Sequence, residues 1–192
     1  MNDIDIAIKI LNNGGIIIFP TDTAFGIGCR IDREDAIEKL FKIRRRPETQ
    51  ASPVLVATIE MAQNYLGPLS KNVRHLMDIY WPGGLTIICP CKINATPPLV
   101  RGRSSTLGVR MPDHELTLKL IEGIGVPILG PSANFHGFPT PYRFNELDPE
   151  LIKLADYVVP GETKTKAAST VIDCSVTPWK ILRQGSVEVK QI

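Results

Sequence analysis

Ile16-Ile17-Ile18-Phe19-Pro20-Thr21-Asp22-Thr23 is the stretch on which the reading of the fold turns. Its four apolar residues form an uninterrupted run with the length of a buried strand, and Pro20 stops it. A loop of small polar side chains follows. The same grammar recurs where Ile128 and Leu129 run into Pro131-Ser132-Ala133-Asn134. In open α/β sheets ligands gather in the crevice at the carboxyl ends of strands, so hydroxyls and an amide there stand where a polar metabolite is held. Ser, Thr, Asp and Asn also favour turns by bonding their own backbone, which accounts for either loop alone. Two such loops, each followed by glycines that permit close backbone approach (Gly26 and Gly28; Gly137), favour a site.

Outward from this stretch, residues 3–11 read as a helix with Ile4, Ala7, Ile8 and Leu11 on one face. A second helix is expected to start near Asp32, capped by its carboxylate, and to end at Arg46-Pro47. Helices follow at 59–65, 71–80, 116–124 and 149–155, the last with Asp148 as cap and Pro149 at its first position. Strands are expected at 53–57, 85–89, 107–111, 127–129, 157–159, 170–173 and 180–182. Helices and strands alternate early and strands dominate late. That order predicts an α/β single domain: an open, twisted, mixed β-sheet with flanking helices.

The chain has 192 residues, within the roughly 100–200 of one domain, and no repeat or linker divides it, so residues 1–192 are read as one unit. With 43% hydrophobic and 22% charged residues, it is neither a disordered chain nor a disulfide miniprotein. Every apolar run falls far short of the roughly 18 residues that cross a bilayer, so no membrane span is expected. Asp3 and Asp5 at the start leave no signal peptide visible. The four scattered cysteines suggest buried thiols in a reducing cytoplasm rather than a disulfide framework.

A net charge of +2 does not advertise nucleic-acid binding, so any argument from charge is local. Lys42, Arg44, Arg45 and Arg46 form the densest cluster. One or two of them offset the dipole of a helix end, and the excess suits a triphosphate or an RNA backbone. Arg101, Arg103 and Arg110 could join the same surface. Arg110 lies in an otherwise apolar strand, where a charge is costly unless it meets an anion, a ligand carboxylate being one candidate. Phosphate loops of the Gly-x-x-x-x-Gly-Lys type, dinucleotide fingerprints and nucleophile elbows are all missing. His75, His114 and His136 lack metal-ligand spacing.

Taken in order, these residues resemble the Sua5/YrdC/YciO family. The resemblance is carried by Phe19-Pro20-Thr21-Asp22-Thr23-Ala24-Phe25-Gly26, Arg44-Arg45-Arg46-Pro47, Trp81-Pro82-Gly83-Gly84-Leu85-Thr86, Gly108-Val109-Arg110-Met111-Pro112, Pro131-Ser132-Ala133-Asn134, Ser169-Thr170-Val171-Ile172-Asp173 and Leu182-Arg183-Gln184-Gly185. It implies a YrdC/RibB-like fold and the synthesis of L-threonylcarbamoyladenylate from L-threonine, bicarbonate or CO2, and ATP, with release of pyrophosphate. That product would feed a downstream transferase machinery that makes the t6A modification of tRNA. Carried onto matching positions, Thr23, Arg110, Ser132 and Ser169 would hold threonine. Arg46, Thr106, Asn134 and Arg183 would hold ATP, with Arg44 beside its phosphates. Arg44, Arg46, Ser132 and Asn134 would together serve catalysis, and Mg2+ would arrive with ATP rather than on protein side chains.

Two positions depart from the family pattern. Arg44 stands where lysine is usual, and Ala57 where some members carry histidine. The chain resembles the short, single-domain form. A YciO-like paralogue without synthase activity is the nearest alternative, and an RNA-binding module of the same fold is another. Base stacking has little support for the latter, since no aromatic residue interleaves the basic cluster. Arg46 is expected at an exposed helix end, where its loss would hardly affect folding.

Overall fold

The computed structural model describes residues 2–190. Its strands divide between two sheets rather than forming the one expected. β1 (Ile17–Phe19) is the middle strand of three, antiparallel to β2 (Gly26–Gly28) and parallel to β7 (Tyr157–Val158). The second sheet has six strands in the order β6 (Ile128–Leu129), β3 (Val54–Leu55), β5 (Thr106–Arg110), β4 (Leu85–Pro90), β8 (Thr170–Asp173) and β9 (Lys180–Arg183). β3 runs parallel to β5 and antiparallel to β6, and β4 runs antiparallel to β5 and parallel to β8, so the sheet is mixed.

The sheets meet where β2 passes β6. Isolated bridges join Gly26 to Ser132 and Arg30 to Ile128, and the amides of Ile27 and Leu129 bond to Pro131 and Cys29 across the same seam. A Cβ on Gly28 would run into the Leu129 carbonyl, so this approach requires glycine. The seam brings the polar loop after β1 against the polar loop after β6.

β1 explains its own unbroken apolar run. Ile16 and Ile18 enter one core cluster while Ile17 and Phe19 enter another, and all four are fully buried. Both faces are covered, so no alternation is possible. Helix α1 (Asp3–Asn12), held by a capping box between Asn2 and Asp5, and α5 (Glu115–Ile124), ended by left-handed Gly125, form the layer over Ile17 and Phe19.

Helix α2 (Glu34–Arg44) begins later than expected and without a side-chain cap. Arg30 engages both oxygens of Asp32 at 2.9 and 2.7 Å, so that carboxylate is no longer free for the helix amides. At the other end Arg45 takes the left-handed conformation (φ 53°) and the Arg46 amide bonds back to the Phe41 carbonyl. The remaining helices are α3 (Ile59–Gln63), α4 (Lys71–Tyr80) with Ser70 as cap, and α6 (Pro149–Leu154) with Asp148 as cap and Pro149 in its first turn.

All four cysteines are free, Cys29 and Cys89 buried and Cys91 and Cys174 half-buried. Burial pushes the thiols of Cys29, Cys89 and Cys174 up to about 12. The unfolded chain therefore ionises them first, near their ordinary 9.0, and stability that is complete below that pH falls as pH rises toward about 12. Denaturation midpoints measured across this window should decline; a flat profile contradicts the buried-thiol account.

Candidate active site

The two polar loops enclose a cavity of about 170 Å³, far above the roughly 10–15 Å³ that one water requires. Thr21 and Thr23 face it from the loop after β1, Ser132 from the loop after β6, and Arg44 and Arg46 from the end of α2. Thr86 on β4, Arg110 on β5, Thr140, Ser169 before β8 and Arg183 on β9 complete its polar wall.

The first loop is held by Thr21. Its hydroxyl donates to the Ala24 carbonyl at 2.7 Å and accepts from the amides of Thr23 and Ala24. The Thr23 hydroxyl lies 3.2 Å from that of Thr21, and either of the two can be the donor. Thr23 also lines the cavity, where its hydroxyl can serve a polar partner.

Arg110 meets its anion inside the chain. Its Nη1 donates to Asp22 Oδ1 at 2.7 Å and its Nη2 to Thr21 Oγ1 at 3.3 Å. Both side chains of the ion pair are only 6% exposed. The strand charge is thus compensated by Asp22, and the donors left over face the cavity. Removing the carboxylate strands a buried cation, so Asp22→Ala should cost about 3–5 kcal/mol of folding stability. Chemical denaturation measures this, and a loss within the range of an exposed ion pair, below about 1 kcal/mol, contradicts the burial argument.

In the second loop the Ser132 hydroxyl donates to Asn134 Oδ1 at 2.6 Å, leaving the serine oxygen as an acceptor. Asn134 does not line the cavity. Its amide nitrogen donates to the Phe138 carbonyl, its side-chain oxygen accepts from Arg44 Nη2 at 3.2 Å, and its backbone oxygen accepts from Arg44 Nε at 3.1 Å. Asn134 orients Arg44.

Arg44 is 3% exposed and among the described residues has no carboxylate partner. Burial, reinforced by nearby Arg46, pushes its guanidinium down to about 10. Its Nη1 is buried without a hydrogen-bond partner. A guanidinium in that condition lacks an anion.

Arg46 is half-buried rather than exposed, and it donates to the carbonyls of Gln50 and Ala51 while facing the cavity. Arg183 donates through Nε to the Ser169 carbonyl at 2.9 Å and through Nη2 to Ser169 Oγ at 3.0 Å. The rest of the basic cluster points elsewhere. Arg45 stacks over the Phe135 ring at 4.7 Å, Arg101 holds the carbonyls of Thr96 and Ser104, and Arg103 pairs with Glu48 at 2.9 Å. Thr106 is not brought to the cavity: it starts β5, four residues from Arg110, and bonds Ser104.

Thr86 was not singled out by its chemistry in the sequence, though it is a polar residue between Leu85 and Ile87 in an apolar strand. The reasoning applied to Arg110 would have found it. Asp22 reads locally as a turn residue, and nothing near it marks it as the partner of a side chain 88 positions away.

The motifs are distributed over the chain as in one family of proteins. The family model for Sua5, YciO and YrdC, described as telomere recombination, matches residues 9–185. The chain belongs to the Sua5/YciO/YrdC family. It is 36% identical over 97% of its length to a threonylcarbamoyl-AMP synthase of Bacillus subtilis, of which it covers 54%, and so spans about half of that relative. A threonylcarbamoyl-AMP synthase of Escherichia coli O6:H1 is 33% identical, the match covering 93% of this chain and 94% of that one. Among solved structures, Pyrococcus abyssi Sua5 complexed with L-threonine superimposes with a TM-score of 0.88 at 31% identity, over 96% of this chain and 55% of that chain. The mixed sheets with flanking helices are thus the family fold.

Proposed function

We propose that this member of the family is an L-threonylcarbamoyladenylate synthase, a nucleotidyltransferase using L-threonine, bicarbonate or CO2, and ATP. The observation that carries the reading is Arg44: a buried guanidinium in a polar cavity, with one nitrogen lacking any partner, is built for an anion. The hydroxyls add polarity. Arg110 offers donors to an amino-acid carboxylate, while Ser132 offers an acceptor and Thr23 a hydroxyl to its hydroxyl or amine. Arg44, Arg46 and Arg183 bracket the space for phosphates.

In this reaction the threonine nitrogen takes up CO2 or bicarbonate to give a carbamate, with a proton released to solvent in the CO2 case and water in the bicarbonate case. A carbamate oxygen attacks the α-phosphorus, the bond from that phosphorus to the bridging oxygen breaks, and pyrophosphate leaves. Two anions must meet, so the chain contributes positioning and charge neutralisation rather than a nucleophile. Among the described residues no carboxylate lines the cavity, and Asp22, which meets the lining residue Arg110, is committed to that ion pair. Mg2+ would accordingly be carried by the ATP phosphates and water, adding further neutralisation when bound. The product would pass in the cytoplasm to a t6A transferase machinery acting on tRNA. No described helix is long and apolar enough to cross a membrane.

Arg46→Ala tests the nucleotide half. Loss of a charge-assisted contact to phosphate is expected to weaken ATP binding about 10–150-fold. Because Arg46 also ties down Gln50 and Ala51, the thermal midpoint should fall slightly as well. Calorimetric titration with ATP and Mg2+ decides: unchanged affinity with a lowered midpoint would make Arg46 a structural residue only. The arginine at position 44, where the family usually carries lysine, favours a second reading, a YciO-like paralogue without synthase activity. Such a protein would bind ATP and release no pyrophosphate in response to threonine.

A further inference from the structure

We propose that Thr86 is a carboxylate-reading residue of the amino-acid pocket, a role that rests on the threonine reading of the cavity. Its hydroxyl lies 2.9 Å from Ser169 Oγ, and both residues are buried, at 4% and 9% exposure. Two hydroxyls carry two protons, and their mutual bond uses one. Arg183 Nη2 already donates to Ser169 Oγ, so it consumes a lone pair and no proton. One O–H of the pair therefore remains, and among the described residues it has no acceptor.

The sheet shows where that proton is offered. β4 and β5 pair antiparallel with Ile87 opposite Val109, which puts Thr86 beside Arg110 on the cavity face. β4 pairs in parallel with β8 at Thr86 and Val171, and Arg183 of β9 pairs with the same Val171. Arg110, Thr86, Val171 and Arg183 thus stand in register across the sheet, and Ser169, two residues before Val171, bonds both Thr86 and Arg183, so the two hydroxyls lie between two cations. Leu85 and Ile87, one position to either side, turn into the core and are fully buried, while Thr86 turns to the cavity. A hydroxyl whose pair holds an unspent proton between two guanidiniums suits a bound carboxylate, which accepts from Arg110 and from the pair together.

The test is calorimetric titration of L-threonine and of L-threoninamide, which keeps the side chain and lacks the carboxylate, into the wild type, Thr86→Val and Thr86→Ser. Thr86→Val should raise the threonine Kd about 10–150-fold, the loss of one hydrogen bond to a charged group, and leave threoninamide unchanged. Thr86→Ser should restore most of the difference. Unchanged threonine affinity in Thr86→Val, or an equal loss for both ligands, overturns the assignment and makes Thr86 a packing residue. Should Thr86→Val not fold, Thr86→Cys, with its weak thiol donor, carries the same comparison. A wild type that binds neither ligand defeats the threonine reading itself and this role with it, a result distinct from threonine binding that ignores Thr86.

Discussion

Arg44→Met is expected to lower the turnover of threonine-dependent pyrophosphate release by about 100- to 1,000-fold while holding or raising the thermal midpoint. The loss of rate follows from removing a preorganised donor aimed at developing negative charge in a desolvated site, for which factors of that size are usual. The opposite sign of the stability change follows from burial. Arg44 is kept charged at 3% exposure without a carboxylate, and its lowered affinity for its proton reports the cost. A methionine, shorter but flexible and uncharged, occupies the stem's space and removes that cost, although the bonds to Asn134 are lost. Steady-state kinetics and a thermal melt on the same preparation decide. Retained turnover, or lost turnover with a collapsed melt, would contradict the assignment of Arg44 to the anion.

L-Valine is expected to be a substrate about 10⁴–10⁵-fold poorer than L-threonine in kcat/KM. Valine has a methyl in place of the hydroxyl at nearly the same volume, so shape alone cannot separate the two. Polar groups can. Ser132 has given its proton to Asn134 and the buried Thr23 hydroxyl faces the same space, so polar groups are left unpaired when valine enters, and sites of this kind discriminate by that factor. L-Serine keeps the hydroxyl and should lose only methyl contacts, about 1–3 kcal/mol. Equal turnover of valine and threonine would mean that the cavity does not read the hydroxyl.

Legibility in the sequence followed the range of the interactions. The run at 16–19 shows a strand buried on both faces, and Asp148-Pro149 shows a helix start, because both are decided by adjacent residues. Gly26–Gly28 was invisible as a strand, since two glycines in three residues read as a turn and only the seam with β6 makes them extended. Asp32 was a sound cap locally and lost its carboxylate to Arg30, whose side chain also reaches Asn12 and the Ile124 carbonyl. The basic cluster at 42–46 read as one surface. The left-handed turn at Arg45 splits it, sending Arg44 and Arg46 to the cavity and Arg45 onto Phe135. Pairings across the sheets, Asp22 with Arg110 and Thr86 with Ser169, depend on strand order, which periodicity does not carry.

The central claim, that the cavity joins threonine to a nucleotide, is met most directly by incubating the protein with ATP, Mg2+, bicarbonate and L-threonine and measuring pyrophosphate. Release that depends on threonine, accompanied by a product with the mass of threonylcarbamoyladenylate, is the predicted result. Folded protein that binds ATP yet releases no pyrophosphate above a control without threonine would contradict it.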